Sequence, residues 1–424
     1  MSIAIPQQIQ YSPSLPVLPA ETVNTSVIIS PSNGNSFTPS GNNQMIFDLG
    51  SSNYCDPATL TLRFKLVVNN ATTAQTMFGG GFSVIQRLET LFGSQVVETI
   101  NNYNVVYNDF VALQFNLAQK ANLAISYGFL NDSTDPTLVN IQGRLIPAAD
   151  TTVFVAIPLV CLLSSAEKLI PLGMMNNIRI QLTLDSIANI FSGSTVTNYT
   201  ITNAELSYDM IRFGAGVDAL VRSMGEKIYI KSQSMSFTGS SLTSGSSGNI
   251  SLIYNQRLSS IKGLLAHFSG LDAAKCVNKA FDSVDITTNN GSVQFFVNSI
   301  PYPTRAIDLL NNKAVAMSEL RNFVSGFHTV QGSNMSITPK EWAYTQASTT
   351  ATTSPAKFFV ATNTEKIQDG SNALLSGIST SNSPISVTLS LGTATGQAMN
   401  VLLLCLYDVL IEVDTIMKSA TIKQ

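Results

Sequence analysis

The sequence predicts an all-β protein that contains the same β-sandwich domain twice. Three observations support this prediction. Alternation of apolar and polar residues recurs from residue 44 onward, a helical apolar stripe interrupts the strands in each half, and the elements of both halves follow the same order. A chain of 424 residues also exceeds the size at which one hydrophobic core usually keeps growing, which favours two domains.

Alternation with a period of two is clearest in one stretch of each half. Residues 178–184 read IRIQLTL and residues 385–391 read ISVTLSL, so each places four apolar side chains on one face of a strand. The other stretches with strand-like patterns are residues 58–68, 83–100, 151–159, 199–213, 227–237, 251–269, 292–300, 356–363 and 399–413. Within residues 83–100, Gly93 and Ser94 predict a turn between two strands.

The period changes once in each half, where apolar residues recur every three or four positions. This spacing is typical of a helix with one apolar stripe. The residues concerned are Val106, Phe110, Leu113 and Leu117 in the first half, and Met317, Leu320, Val324 and Phe327 in the second.

Matching elements of the two halves lie about half a chain apart. Ile385 follows Ile178 by 207 residues, Tyr407 follows Tyr208 by 199 residues, and the helical stripes are offset by 210 residues. Three matched elements at a nearly constant offset indicate an internal duplication. With about eight strands and turn-rich links in each unit, the prediction is two tandem eight-stranded jelly rolls with short inserted helices, a double jelly roll.

The domain boundaries follow from this order and from a change in composition near the N-terminus. We expect a first jelly roll over residues 44–215 and a second over residues 216–424, the second ending in a short tail. Residues 1–43 contain prolines at positions 6, 13, 16 and 19 followed by turn-forming residues, which predicts an extended Pro-rich arm. Such an arm is either a disordered tail or a segment that orders against a neighbouring subunit.

Charged residues are unusually sparse. They make up 12% of the chain, against about 25% in ordinary soluble domains. A surface with few charges is less costly to bury against copies of itself. The net charge is −3 and no Lys or Arg precedes Arg63, so we expect no direct sequence-specific nucleic-acid binding and no basic genome-binding arm.

The cysteines and the termini indicate a protein made in a reducing, cytosol-like compartment. Cys55, Cys161, Cys276 and Cys405 show no paired spacing, which favours free thiols over disulfides or a zinc site. The N-terminal sequence has neither a basic region nor a continuous apolar region, so it predicts no signal peptide. The apolar run at residues 401–411 is too short to span a membrane and contains Asp408.

No stretch carries a convincing catalytic, cofactor or metal site. GAGVDA (214–219) matches a loose dinucleotide fingerprint but lacks the βαβ context, and GGGFS (79–83) lacks the Lys-Ser or Lys-Thr of a phosphate loop. His267 and His328, the two histidines of the chain, have no ligand or base partner at a recognisable spacing, and the acidic loop at residues 132–135 departs from the calcium pattern. We therefore predict no catalytic residues, no cofactor, no metal and no enzyme activity.

Three stretches resemble a known family. TTVFVAIPLVCLLSSAEKLIPLGMMNNIRIQLTLDS (151–186), YTITNAELSYDMI (199–211) and SIPYPTRAIDL (299–309) are similar to passages of the double jelly-roll major capsid proteins of adenoviruses, tailless membrane-containing phages, virophages and polinton-like viruses. The resemblance implies a virion protein whose homotrimers form pseudo-hexagonal capsomers that tile an icosahedral shell. It further implies penton and minor capsid partners, and an internal membrane beneath the shell in some members.

Two other functions are alternatives to this one. A two-domain β-sandwich recognition protein, for carbohydrate binding or attachment, would need exposed aromatic platforms, and Trp342 is the only tryptophan that could serve. An enzyme with a cupin-like jelly roll would need a histidine-rich metal site, which two histidines do not readily supply.

Overall fold

The computed structural model describes residues 22–423 with several gaps. The residues left out within this range are 71, 129–142, 192–193, 215, 224, 271–282, 285, 287–288, 290, 328–334, 338–341, 343–356 and 367–374.

The described part of the first half consists mainly of strands. They are β1 (Val23–Ile29), β2 (Ser36–Phe37), β3 (Gln44–Asp48), β4 (Tyr54–Asn70), β5 (Gln75–Phe78), β6 (Ile85–Phe92), β7 (Gln95–Asn101), β8 (Gly143–Ile146), β9 (Thr151–Pro158), β10 (Ile170–Pro171), β11 (Ile178–Leu184) and β12 (Val196–Arg212). The helices are α1 (Tyr103–Gln114), α2 (Leu117–Asn122) and α3 (Ile187–Ile190).

A short helix, α4 (Val217–Ser223), links this half to the second. The strands of the second half are β13 (Lys227–Leu242), β14 (Gly248–Tyr254), β15 (Ile261–Gly270), β16 (Ser292–Val297), β17 (Ile300–Asp308), β18 (Phe359–Asn363), β19 (Ile385–Leu391), β20 (Met399–Asp414) and β21 (Ser419–Lys423). The described residues of this half also include the helix α5 (Lys313–Ser325).

Both halves have the strand order of a jelly roll. In the first half, one sheet has the order β1-β12-β4-β10, with β2 paired to β12 and β9 to β4, and the facing sheet has the order β3-β11-β6-β7. In the second half the sheets have the orders β13-β20-β15-β18 and β14-β19-β16-β17. Counting eight main strands along each half, both halves place strands 1, 8, 3 and 6 in one sheet and strands 2, 7, 4 and 5 in the other. The predicted double jelly roll with inserted helices is confirmed.

The alternating strands are placed as their patterns predict. In β11 and β19 every apolar residue is buried and every intervening polar residue is partly exposed. Both strands lie inside a four-stranded sheet, so one face fills the core of the sandwich. The two helices α1 and α5 lie between the fifth and sixth main strands of their halves, which matches the predicted positions of the helical stripes.

The N-terminal boundary of the first jelly roll differs from the prediction. β1 pairs with β12 over its whole length, from Val23 opposite Arg212 to Ile29 opposite Leu206, and β2 pairs with the same strand. The first strand therefore lies within residues 1–43, where an arm was expected. The prolines responsible for that expectation all precede residue 22 and lie outside the described residues, whereas β1 is proline-free and rich in the β-branched residues that favour strands.

Some smaller elements were also missed. Residues 251–269 form two strands, β14 and β15, and β17 and β21 were not expected as strands. β17 contains two prolines, which normally count against a strand. The prolines are tolerated because β17 is an edge strand of its sheet, so the backbone on one of its sides needs no ladder partner.

Candidate functional site

The two jelly rolls meet through buried polar and aromatic contacts, which we call the junction. The strand β7 and helix α1 of the first half face the strands β13 and β15 and the end of α5 in the second half. These contacts hold the two jelly rolls together, so any function that needs both rolls in a fixed arrangement requires them.

Glu98 of β7 forms the polar centre of the junction. Its carboxylate is buried and accepts hydrogen bonds from the hydroxyl of Thr90 at 2.8 Å, the N–H of Leu162 at 2.8 and 3.0 Å, and the hydroxyl of Ser234 at 2.5 Å. Ser234 belongs to β13, so this bond crosses between the halves. Burial raises the pKa of Glu98, and the three donors partly offset that effect.

A second polar contact joins α1 to β15. The Nδ1 atom of His267 lies 2.9 Å from each carboxylate oxygen of Asp109, and both side chains are fully buried. Burial raises the pKa of Asp109, and the neighbouring His267 opposes this shift. Beside the pair, the rings of Phe110 and Phe327 pack with centroids 4.6 Å apart.

An open groove lies on the outer face of the first jelly roll. Its volume is about 430 Å³, and its lining includes Phe154 of β9, Ile125, Arg63, Lys65 and Glu205. Phe154 and Ile125 are 62% and 57% exposed, which is high for large apolar side chains. Apolar side chains surrounded by charged residues are the usual composition of a protein contact surface.

The structure places the histidine considered as a catalytic candidate in the core. His267 contacts Asp109 and the ring of Phe359. His328 and the acidic loop at residues 132–135 lie outside the described residues. Among the described residues, no group of three or more His, Cys, Asp or Glu side chains is arranged to hold a metal ion.

The two glycine-rich stretches serve as turns and close contacts. Gly81 begins a short 3-10 helix, Gly81–Val84, and its N–H donates to the carbonyl of Tyr127 at 2.6 Å. In the GAGVDA stretch, Gly216 has a positive φ and leads into α4, and Asp218 accepts a hydrogen bond from the hydroxyl of Tyr54 at 2.9 Å. Neither stretch follows a strand into a parallel crossover.

Trp342 and the described cysteines are buried. The indole N–H of Trp342 donates to the carbonyl of Phe359 at 2.8 Å, so its ring is unavailable as a sugar platform. Cys55, Cys161 and Cys405 are free buried thiols, and burial raises the pKa of Cys55 and Cys161 to about 12. Cys276 lies outside the described residues. In the described part of the chain, no helix is long and apolar enough to cross a membrane.

Sequence reasoning missed the polar residues of the junction. Asp109 lies on the apolar side of α1, three residues after Val106 and one before Phe110, and a charge in that position signals a buried partner. Glu98 gave no comparable signal, because it lies in a strand whose register and neighbours only the fold establishes.

Comparisons with known proteins support the fold. No protein-family model matches the chain, and no curated protein matches it by sequence. Solved structures that match nearly all of it include the following three. The PBCV-1 virus capsid has a TM-score of 0.63 at 10% identity over 98% of this chain and 99% of that chain. The Faustovirus major capsid protein has a TM-score of 0.63 at 8% identity over 96% and 92%. The mavirus major capsid protein has a TM-score of 0.52 at 10% identity over 100% and 95%.

This chain has the double jelly-roll fold. The likeness extends over both halves and the link between them, so it includes the tandem arrangement as well as each sandwich. The resemblance drawn from the three sequence stretches is confirmed in fold. At 8–10% identity, what these proteins share with the chain is architecture.

Proposed function

We propose that this protein is a viral major capsid protein, and that three copies form a pseudo-hexagonal capsomer that tiles an icosahedral shell. The observation that carries the proposal is the pair of jelly rolls held together by the junction. A trimer of such a chain presents six similar units around its axis, which is the geometry needed to fill a hexagonal lattice.

Two further observations support self-association. Only 12% of the residues are charged, so surfaces of this chain lose little hydration when they are buried. The groove beside Phe154 exposes large apolar side chains with charged residues around them. We assign this groove to the contact between copies, because covering its apolar area would contribute roughly 25 cal/mol per Å².

The role of a major capsid protein has consequences for the domain division, the partners and the place of synthesis. We place the domain division at the link containing α4, between β12 and β13. The protein acts as a structural component of the virion with penton and minor capsid partners, without an enzymatic role and without sequence-specific nucleic-acid binding. Synthesis in the host cytosol is supported by the three buried free thiols, and an internal membrane is compatible with this role.

The recognition-protein alternative receives no support from the described residues. Its one candidate platform, Trp342, is buried against Phe358 and bonded to Phe359.

The proposal is tested by the mass of the protein in solution. Light scattering on the purified full chain should give three times 45.4 kDa, and negative-stain images of the same peak should show a hexagonal outline. Phe154→Ser should lower the trimer fraction because it removes apolar area from the groove, whereas Phe154→Leu, the matched control, should preserve it. A monomer at every concentration measured would contradict the proposal.

A further inference from the structure

Three ionisable side chains meet inside the second jelly roll, away from the junction. Lys262 lies in β15, Asp408 in the adjacent β20, and Glu365 two residues after β18. Their side chains are 3%, 0% and 5% exposed. The Nζ atom of Lys262 lies 3.1 Å from Oε1 of Glu365 and 3.8 Å from Oδ1 of Asp408. A lysine and two carboxylates so deeply buried are costly as ions, and this cost requires an explanation.

The two oxygens of Asp408 have different surroundings. Oδ2 accepts hydrogen bonds from the hydroxyl of Ser260 at 3.1 Å and from the N–H and hydroxyl of Ser376 at 3.0 and 3.1 Å. Oδ1 is buried and has no hydrogen-bond partner among the described residues, although it faces Nζ of Lys262. The hydroxyl of Ser376 carries one proton and lies closer to Glu365, so two donors remain for Oδ2, the hydroxyl of Ser260 and the N–H of Ser376. Two donors on one carboxyl oxygen are suited to stabilising negative charge that develops there when a nucleophile adds to the carbon.

Glu365 is placed to move protons between the amine and its surroundings. Its Oε1 atom lies 3.1 Å from Nζ of Lys262 and accepts the hydroxyl of Ser376 at 2.6 Å. The hydroxyl oxygen of Ser376 also lies 3.1 Å from Oδ2 of Asp408, so this serine lies between the two carboxylates. A base within hydrogen-bond reach of the amine is the geometry that general acid–base catalysis requires.

We propose that Lys262 and Asp408 join in an intramolecular isopeptide bond, with Glu365 as the proton-transfer residue. Nζ of Lys262 passes one proton directly to the facing Oδ1 of Asp408, which gives a neutral amine and a neutral acid, and the amine then adds to Cγ while Oδ2 carries the negative charge. Glu365 takes the second proton from the nitrogen and returns it to the Oδ1 hydroxyl. The C–Oδ1 bond then breaks, and Oδ1 leaves as water. The products are one amide and one water, and no oxidant or cofactor is needed.

The separation of the reacting groups is compatible with this step. The distance of 3.8 Å joins Nζ of Lys262 to Oδ1, which is bonded to the carbon that would react. Rotation of the flexible lysine stem would bring Nζ to the separation from Cγ of about 3–3.5 Å that a reaction needs. The backbone already brings the strands together, since Ile261 is the ladder partner of Tyr407 and the register shifts between Ile261 and Gly263. Lys262 therefore occupies an irregularity next to the Ile261–Tyr407 pair, one residue along β20 from Asp408.

The bond would connect β15 and β20 covalently and remove two buried charges. It would close a loop between residues 262 and 408, and such a cross-link restricts the unfolded chain. The described residues of the first jelly roll show no equivalent at the corresponding position. Asp209, which follows Tyr208 as Asp408 follows Tyr407, is only half-buried, and its ladder partner is another carboxylate, Asp56.

The test is the intact mass of the purified full chain under denaturing conditions. The wild-type protein should be lighter than its sequence by the mass of one water molecule. A tryptic digest should contain residues 258–275, uncleaved after Lys262, joined to residues 367–418. A wild-type mass equal to that of the sequence, with these peptides separate, overturns the proposal whether or not any variant folds.

Substitutions of the three ionisable residues test the role of each in forming the bond. Lys262→Arg should restore the full mass, and Glu365→Gln should restore it in a protein that still folds. Asp408→Asn should lose one ammonia in place of one water, because the amide nitrogen becomes the leaving group. Lys231→Arg, which changes another buried lysine, should keep the loss of water. A folded Glu365→Gln protein that is fully cross-linked overturns the role of Glu365. None of these readouts depends on the oligomeric state, so the capsomer proposal is tested separately.

Discussion

The two jelly rolls share their strand order and differ in how they use buried charge. β11 and β19 show the same alternation of buried and partly exposed residues, and each lies between the same two neighbours in its sheet. Two buried carboxylates of the first roll, Glu98 and Asp109, face the second roll, whereas the buried Asp185 is held inside the first roll by Asn104. In the second roll, Glu365 and Asp408 meet internally around Lys262. The same alternation of apolar residues is therefore enough to give both halves the same strand order. The position of each buried polar side chain depends instead on the particular hydrogen-bond partners around it.

The last main strands of the two rolls, β12 and β20, also differ in how much of their length is buried. β12 alternates between buried and exposed residues along much of its length, whereas β20 is buried from Val401 to Val413. β20 lies between β13 and β15, the two strands that contact the first roll through Ser234 and His267. A sheet covered on both faces reads as a continuous apolar run, which explains the stretch at residues 401–411 without a membrane role.

The largest effect on this comparison should come from removing the polar centre of the junction. Glu98→Ala leaves the N–H of Leu162 and the hydroxyls of Thr90 and Ser234 without their acceptor. We expect the free energy of unfolding to fall by about 3 kcal/mol. Urea denaturation of both proteins measures the change. Glu89→Ala, on the neighbouring strand with a half-exposed partner at 3.4 Å, is the control and should change stability by less than about 1 kcal/mol. If the two substitutions lowered the free energy of unfolding equally, Glu98 would not be the polar centre of the junction.

A smaller effect should follow from filling the close contact inside the first roll. A Cβ atom on Gly81 would overlap the side chain of Val155 in β9, so Gly81→Ala forces the two segments apart. We expect a loss of about 1–3 kcal/mol. Gly396→Ala is the matched control, because a Cβ there meets nothing within 4 Å. Thermal unfolding of the two variants distinguishes them, and an unchanged midpoint for Gly81→Ala would show that the contact is loose.

The smallest effect is the pH dependence that Glu98 gives to the junction. Its pKa is raised above the ordinary value of 4.5, so the folded protein binds this proton more tightly than the unfolded chain. As the pH rises from about 4.5 through the raised pKa, the wild-type protein should lose stability relative to Glu98→Gln, which has no proton to release.

Urea midpoints of both proteins across this pH range measure the difference. The neighbouring Cys161 does not titrate there, because burial raises its pKa to about 12. A wild-type protein that gains stability over Glu98→Gln with rising pH would reverse the sign and contradict the assignment.

Much of the fold could be predicted because its signals are local. The alternation in β11 and β19, the stripes of α1 and α5 and the turn at Gly93 depend on residues close together in the chain. β1 was missed because the prolines before it dominated the interpretation of residues 1–43. β17 was missed because its prolines obscure a strand at the end of its sheet.

The sequence by itself determined that this chain is all-β, duplicated and poor in charge, since periodicity and composition need no knowledge of distant contacts. Only the tertiary structure decided which polar residues meet. Glu98 and Ser234 are 136 residues apart, Asp109 and His267 are 158 apart, and Ser260 and Asp408 are 148 apart. A buried charge is stabilised by the particular donors around it, and those donors are assembled by strand register and by the packing of one jelly roll against the other.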